Sequence, residues 1–590
     1  MKFDKETLIA IAVCCVVLFG WEPFSRYMGW SAAPVPPAAA APAAAPQPNT
    51  EVPVSAVPAA APQPNTEVPV SAVPAVEPAV PEKKTQEALV QVSPLPPVEL
   101  KNKDMVLSFD PVRGSIRSIT LEHYQNAARD ARIVLDQSFS SQGALSLYQA
   151  GVPWVVTQVV KNRVEPGSDG QSRYLLDRRI QTIGGDDFLL SQVWEIGATG
   201  YETDCSFQIT NLARRPLVLN QLIMNGGDLA AWAMISGDKM RTPSHRMDFE
   251  TADGSFYDIK ADKKDDADYF QNPAPMVDWA GISNKYFGVI LTAKEPFQLF
   301  QGRTMQMRGK DKVYIPTVGA RLPAMMLNAG ESKSVAFRYY SGPKMTQLLE
   351  AFEPSTNRMM HLAWGPLDYL ARLLLWVLVQ LHGFCGSYGV SIIILTLMVR
   401  LLFYPVTAKA NASMRKMQAV QPKIAALREK YKDNPQLLNS KMMELYREEK
   451  VNPFGGCLPI LLQIPVFFAL YATLDGAVQL RQVSFLWAKD LAAADTVAKI
   501  PLYFYDLPIN PLVLMMTALM MIQQRMTPMA MDPMQKKMML MMPVVMLIFL
   551  YDLPSGLTLY WTVSNFFSII QLKLQQKAHP VAAVPIKNAN

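Results

Sequence analysis

The sequence predicts a multi-domain membrane protein: an N-terminal signal-anchor helix, a linker, an all-β domain outside the membrane, and a C-terminal five-helix transmembrane bundle with a cytoplasmic helical hairpin. Three observations predict it. Half of the 590 residues are hydrophobic and only 18% are charged, a more apolar balance than soluble chains show. The excess is concentrated at residues 8–21 and, more heavily, after residue 367. Between those blocks the chain breaks into short apolar runs separated by Gly, Asp, Asn and Pro, several of them alternating with period two, which is the pattern of strands.

Residues 1–30 carry the anchor. The run TLIAIAVCCVVLFGWEPF at 7–24 has no small-x-small cleavage site close behind it, so it reads as a retained anchor, with a cleaved signal peptide as the alternative. Asp4 and Glu6 argue against a mitochondrial transit peptide, which is poor in acids. Residues 31–97 are a Pro/Ala-rich linker in which AAAPQPNTEVPVSAVP occurs twice in tandem, at 43–58 and 59–74. Such a composition buries no core and favours extended chain.

Residues 98–345 form the expected β domain, a sandwich by its short, turn-punctuated strands. Its clearest runs are MVLSF at 105–109, SIRSITL at 115–121, PLVLNQLIM at 216–224 and KYFGVILTA at 285–293. Residues 367–384 carry Asp368 and Arg372 at one end and His382 at the other; an amphipathic interfacial helix fits this better than a span. The spans are then 388–407, 457–474, 507–523, 538–553 and 556–572, each of 16–20 residues, at or below the roughly 20 that a bilayer requires.

Loop charge orients these spans. Residues 408–452 hold ten Lys and Arg, and 475–506 hold Arg481, Lys489 and Lys499 only. The loop at 524–537 has Arg525, Lys536 and Lys537, the turn after 553 has none, and the tail at 578–590 follows Lys573 and Lys577. The positive-inside rule places 408–452, 524–537 and the C-terminus in the cytoplasm. Counting back puts the β domain outside and the N-terminus inside.

Arg400, within SIIILTLMVRLLFYP, is the residue that most demands explanation. Along a helix it lies roughly 18 Å from Tyr388 and about 10 Å from Thr407. An arginine at that depth costs about 2.5–3.5 kcal/mol on insertion scales. It either snorkels to headgroups or faces a wet cavity, since no Asp or Glu stands at similar depth in the other spans. Thr396, Gln463, Ser564, Asn565, Ser568 and Gln571 could give such a cavity a polar face; each alone is an ordinary helix-packing residue.

The cytoplasmic loop has Met414, Met417, Ile424, Leu427 and Tyr431 at helical spacing, then Leu438, Met442 and Leu445 after the turn signal at 433–435. This predicts an antiparallel helical hairpin with a basic exterior, kinked or restarted at Pro422. The methionines, 33 in all and dense between Met515 and Met546, read either as core or as an adaptable apolar surface.

Much is excluded. There is no phosphate loop, HExxH or GxSxG, so no enzymatic centre and no cofactor is expected. The five cysteines and five histidines are scattered, without metal-ligand or disulfide spacing. No basic patch interleaves with aromatics, so no specific nucleic-acid recognition is expected.

The run VNPFGGCLPILLQIPVFFALYA at 451–472 resembles the signature of the YidC/Oxa insertase family. VRLLFYPVTAKANASMRKMQAVQPKI before it, and DPMQKKMMLMMP and LPSGLTLYWTVSNFFSIIQ after it, are similar to the family's other stretches. DWAGISNKYFGVIL at 278–291 and YYSGPK at 339–344 resemble the large Gram-negative form. The resemblance implies an inner-membrane insertase and foldase, acting alone or with the Sec translocon on nascent or newly made membrane proteins in the lipid bilayer. It implies a supersandwich-like periplasmic domain, and a hydrophilic groove open to cytoplasm and lipid but closed to the periplasm. Arg400, Thr396 and Gln463 would line the groove, with Asn565 and Ser568 as further polar positions. Phe467, Phe549, Tyr560 and Trp561, with Met515, would line the path of substrate helices; Trp561 stands where some members have Tyr. Arg415, Lys416, Lys423, Arg428 and Lys441 are the candidate recruitment residues, with the ribosome and the signal recognition receptor as further partners of the cytoplasmic loops. A small-molecule transporter is the rival reading; it requires inverted repeats and broken helices, and neither is visible.

Overall fold

A computed structural model describes residues 92–578, except 127–128, 139–141, 168–169, 183, 231–244, 261–273, 309–310, 433, 450, 452–457, 502–505 and 527–532. The expected anchor at 1–30, the linker through residue 91 and the tail after residue 578 lie outside the described residues. Two compact units divide the chain. One runs to Asn284 and includes Val289–Ser341; the other combines Lys285–Gly288 with the chain from Gly342.

Among the described residues the first unit is all β, as its alternating runs require. Strand Asp187–Ile196 buries Phe188, Leu190, Gln192, Trp194 and Ile196 and turns its other side chains outward. It pairs antiparallel with Ser172–Thr182, Tyr174 opposite Trp194, and with Glu202–Asn211, Trp194 opposite Cys205. These strands belong to a twelve-stranded sheet; Val98–Lys101, Met105–Asp110, Ser115–Gln125 and Arg132–Asp136 form a separate four-stranded one. The Phe109 ring of the small sheet lies 4.8 Å from both Tyr174 and Trp194 of the large one. Two sheets therefore share an aromatic core, the arrangement of a sandwich.

One buried cation ties the small sheet's turn to the large sheet. Arg178 donates from Nη1 to Val112 O at 2.8 Å and from Nε and Nη2 to Gln192 Oε1 at 3.1 and 2.6 Å. Burial pushes its pKa down to about 10, against the pull of Tyr174 and Asp110. Gln192 in turn donates to Gly114 O at 3.0 Å. Gly114 sits at φ +61°, and a Cβ there would fall 2.3 Å from the guanidinium. Only glycine fits that turn.

In the second unit the helices are α1 (Thr346–Phe352), α2 (Pro366–Cys385), α3 (Tyr388–Lys430), α4 (Pro435–Glu448), α5 (Leu458–Gly476), α6 (Pro511–Met526), α7 (Pro533–Phe549) and α8 (Ser555–Ala578). Helix α2 ends at Gly386, whose left-handed φ of +69° lets its N–H cap His382 O at 2.8 Å. By length and composition, Pro366–Cys385 and Tyr388–Met417 are long and apolar enough to cross a membrane, and Leu540–Phe549 is a shorter apolar helix.

Several expected boundaries move. No break separates residues 407 and 408, and Pro422 starts no new helix: α3 runs unbroken through Pro405 and Pro422. Each proline removes one backbone donor, and the turns on either side remain helical. The span expected from 507 begins at Pro511, because Asp506–Ile509 pairs as a strand with Ala498–Pro501. The span expected at 538–553 ends at Phe549, and that at 556–572 extends to Ala578. The hairpin is present: Val420, Ile424, Leu445 and Val451 form its core, with Met417, Leu427, Met442 and Tyr446 packed against it.

Polar contacts fix the relative directions of four helices. Arg400 meets Ser564, Thr407 meets Gln571 and Asn411 meets Gln575, always 164 residues apart. A constant offset means that α3 and α8 run parallel and in register. Thr562 donates to Leu512 O and Gln576 to Met526 O, both 50 residues apart, so α6 is parallel to α8 as well. Asn510, just before α6, donates to Tyr551 O beyond the end of α7, which makes α7 antiparallel to α6.

Candidate functional site

The parallel pairing of α3 and α8 builds a polar seam in an otherwise apolar bundle. At its upper end the Arg400 Nε and Nη2 both donate to Ser564 Oγ, at 3.0 and 2.6 Å. Among the described residues, no carboxylate pairs with this guanidinium. Further along α3, Gln571 donates to Thr407 Oγ1 at 3.2 Å and Asn411 to Gln575 Oε1 at 3.0 Å. The seam follows the spacing 400, 407, 411 on one helix and 564, 571, 575 on the other, one heptad and then one further turn.

The expected groove residues take up different positions. Thr396 is fully buried, and its hydroxyl donates to Ile392 O of its own helix at 2.7 Å. Gln463 of α5 donates to the Tyr560 hydroxyl at 2.6 Å, which joins α5 to α8. Ser568 donates to Ser564 O at 3.1 Å, one turn along from Arg400's partner. Asn565 lies one residue past Ser564, about 100° around the helix, and three residues past Thr562, which donates to α6. Its Nδ2 is buried and makes no hydrogen bond.

Of the expected path residues, Phe467 and Trp561 pack against each other with their rings tilted by 52° and centroids 4.8 Å apart. Tyr560 is buried, while Met515 and Phe549 are exposed on α6 and α7. The hairpin cations are less free than a basic exterior implies. Lys423 pairs with Glu449 and Lys441 with Glu444, and Arg415 reaches Gln575 Oε1 at 3.5 Å. Lys416 and Arg428, on α3 with Arg415 and Lys423, complete the set. Exposed pairs of this kind contribute little and exchange readily.

Residues Asn411, Thr407 and Gln575 were not singled out by sequence reasoning. The repeated spacing of polar residues in two separate apolar segments was the available signal.

Residues 97–377 match the family model of the YidC periplasmic domain, and residues 380–581 match that of the 60Kd inner membrane protein. The membrane protein insertase YidC of Pelobacter propionicus is 33% identical over 479 residues, 78% of this chain and 82% of that one. The YidC of Geobacter sulfurreducens is 42% identical over 299 residues, 50% of this chain and 52% of the relative. Against that protein the chain spans about half the length of the curated relative it matches. A crystal structure of an active YidC insertase, with its first transmembrane domain resolved, is similar at 19% identity and a TM-score of 0.37, over 82% of this chain and 93% of that one. On the two family models and the extent of the Pelobacter match, the chain belongs to the YidC family of membrane protein insertases.

Proposed function

We infer that this chain inserts newly made proteins into the bacterial inner membrane, as a non-enzymatic insertase and foldase working within the lipid bilayer. The observation that carries the reading is Arg400, a cation within an apolar helix whose recorded partner is a neutral hydroxyl. A translocated segment brings polar and often acidic residues out of water. A fixed positive charge attracts carboxylates without requiring a particular sequence. Release follows because an apolar substrate helix gains by burial in lipid, so no nucleotide is needed.

On this reading Arg400, Thr396, Gln463, Asn565 and Ser568 belong to a hydrophilic groove open to cytoplasm and lipid, and Phe467, Met515, Phe549, Tyr560 and Trp561 to the path of the incoming helix. The bundle has five spans, α2 lies in the interface, and the termini are cytoplasmic. Sec components, the ribosome and the signal recognition receptor are the partners to test, the last two through Arg415, Lys416, Lys423, Arg428 and Lys441.

The test is insertion, by protease protection, of substrates that differ only in the charge of the translocated tail. Arg400→Lys should keep most activity, because charge matters more here than guanidinium geometry. Arg400→Ala should impair acidic tails most and neutral tails least. Equal behaviour of the two variants across the series would refute the role of the charge.

A further inference from the structure

Between α5 and α6 the chain forms a two-stranded ribbon. Ala498–Pro501 pairs antiparallel with Asp506–Ile509, so that Ala498 is opposite Ile509, Lys499 opposite Pro508, Ile500 opposite Leu507 and Pro501 opposite Asp506. Side chains alternate along a strand, and directly opposed residues share a face. One face of the ribbon is therefore Ala498, Ile500, Leu507 and Ile509, wholly apolar, and the other is Lys499, Pro501, Asp506 and Pro508. The apolar face is open: Ile500 is 45% exposed and Leu507 38%. A lone two-stranded ribbon is marginal in water, and an apolar face gains by being covered.

Three observations bear on what covers it. First, the ribbon is fixed where a helix of the bundle begins, since only Asn510 separates Ile509 from Pro511, the first residue of α6. The Tyr551 hydroxyl, just past the end of α7, donates to Pro508 O. Asn510 Nδ2 donates to Tyr551 O at 2.8 Å, and Thr496 Oγ1 to Asn510 Oδ1 at 2.7 Å. Second, Trp487, 41% exposed, stands at the same level. Its Nε1 donates to Asp495 Oδ2 at 2.9 Å, and that oxygen accepts from Leu512 N, in the first turn of α6, at 2.7 Å. Tryptophan beside the end of a spanning helix is characteristic of the membrane–water boundary. Third, Pro501 and Pro508, one on each strand, each lack a backbone donor. Proline is placed in strands where that donor would face outward, so neither edge of the ribbon offers a third strand a full row of donors. Hydrocarbon asks for apolar contact and no hydrogen bonds.

We propose that this ribbon is a membrane-surface anchor, with its Ala498, Ile500, Leu507 and Ile509 face lying in the boundary between headgroups and acyl chains of the leaflet where α6 begins. The proposal rests on the reading of α6 as a span of the insertase bundle. Lys499, on the opposite face, then lies on the headgroup side, where a long cationic side chain can reach lipid phosphate. Through its short link to Pro511 the ribbon sets the depth at which α6 enters the bilayer.

The test uses the full-length chain with its five native cysteines changed to serine, in proteoliposomes of phosphatidylethanolamine and phosphatidylglycerol. A single cysteine carrying a nitroxide is placed in turn at Ile500, Leu507, Lys499 and Leu514, the last exposed on α6. Oxygen concentrates in hydrocarbon, and a nickel chelate stays in water. The ratio of oxygen to chelate accessibility should be several-fold higher at Ile500 and Leu507 than at Lys499, and should approach the value at Leu514. Equal ratios at Ile500, Leu507 and Lys499 would overturn the anchor, because the face would then lie in water. Protection of Ile500 and Leu507 from both reagents would overturn it too, and would give the face to a protein or to a second copy of this chain. Leu514 keeps the two readings apart. Chelate access there would show that α6 does not span, and the insertase bundle would fall together with the anchor. Chelate access at Ile500 and Leu507 with Leu514 in lipid would remove the anchor alone.

Discussion

Ser564 holds Arg400 with one oxygen, and a neutral one, so the guanidinium keeps donors and its whole charge for something else. Ser564→Ala should leave the charge in place but free to snorkel. Insertion of acidic-tailed substrates should then fall, by less than in Arg400→Ala, while Ser564→Thr should restore it. Equal losses in Ser564→Ala and Ser564→Thr would mean that packing rather than the hydroxyl matters there. Cys205 gives a second test, in the β unit. Burial pushes its thiol pKa well above the ordinary value, with Asp204 adding to the effect. The folded state therefore holds this proton more tightly than the unfolded one, so Cys205 contributes no pH dependence below about pH 8.5 and lowers stability as pH rises beyond it. A thiol reagent at pH 9 should leave Cys205 unmodified until the protein unfolds; fast modification of native protein would contradict its burial. Both residues show what sequence can yield. Arg400 was conspicuous because its cost in lipid is large, whereas Ser564 is one of many small polar residues in apolar helices, and only the register of α3 against α8 distinguishes it. Asn565 looked like its neighbour and lies about 100° away from it on the helix.

Helix α3 crosses two regions of different composition, apolar before Pro405 and basic after it, and the composition change suggested two elements where there is one. Period and hydropathy report burial, and a helix that leaves the membrane changes partners without changing backbone. The same limit explains α6: Leu507 and Ile509 are apolar like the helix that follows, but they sit in a strand whose partner, Ala498–Pro501, apolar counting does not see. The hairpin core was legible from Ile424 and Leu445, while Val420 and Val451 complete it. The seam of α3 and α8 makes a sharper claim than any of these. Cysteine pairs at Thr407 with Gln571, and at Asn411 with Gln575, should be joined by a short bismaleimide. The off-register pair Thr407 with Gln575 should cross-link far less, since one turn is 5.4 Å along the axis. Preferential joining of the off-register pair would show that the helices slide. Helices α6 and α7, of 16 and 17 residues, are about 24–26 Å long, short of a roughly 30 Å hydrocarbon core. Lipid beside them should be thinned in nanodisc images, and normal thickness there would remove any role for short spans in easing translocation.

For the molecule as a whole, parallel packing and loop charge are independent constraints on topology. Because α3 and α8 run in the same direction, Lys430 at the end of one and Lys577 near the end of the other must lie on the same side of the membrane, whichever side that is. Loop charge then chooses the side, since ten cations in 408–452 favour the cytoplasm. Lys499, in the strand that follows α5 and precedes α6, belongs on the opposite side, with the starts of α3, α6 and α8. Single cysteines at Lys430 and Lys577 should therefore resist an impermeant thiol reagent in intact cells and react once the membrane is opened. One at Lys499 should react in spheroplasts, and so should one at Lys333 on the β unit. The two constraints fail differently. Lys430 and Lys577 on opposite sides would refute the parallel register, and with it the seam that places Arg400 against Ser564. Both reacting from outside would leave the register intact and invert the orientation, putting the basic hairpin outside and the starts of α3, α6 and α8 in the cytoplasm, against the reading of Arg400 as a receiver of chains from the hairpin side.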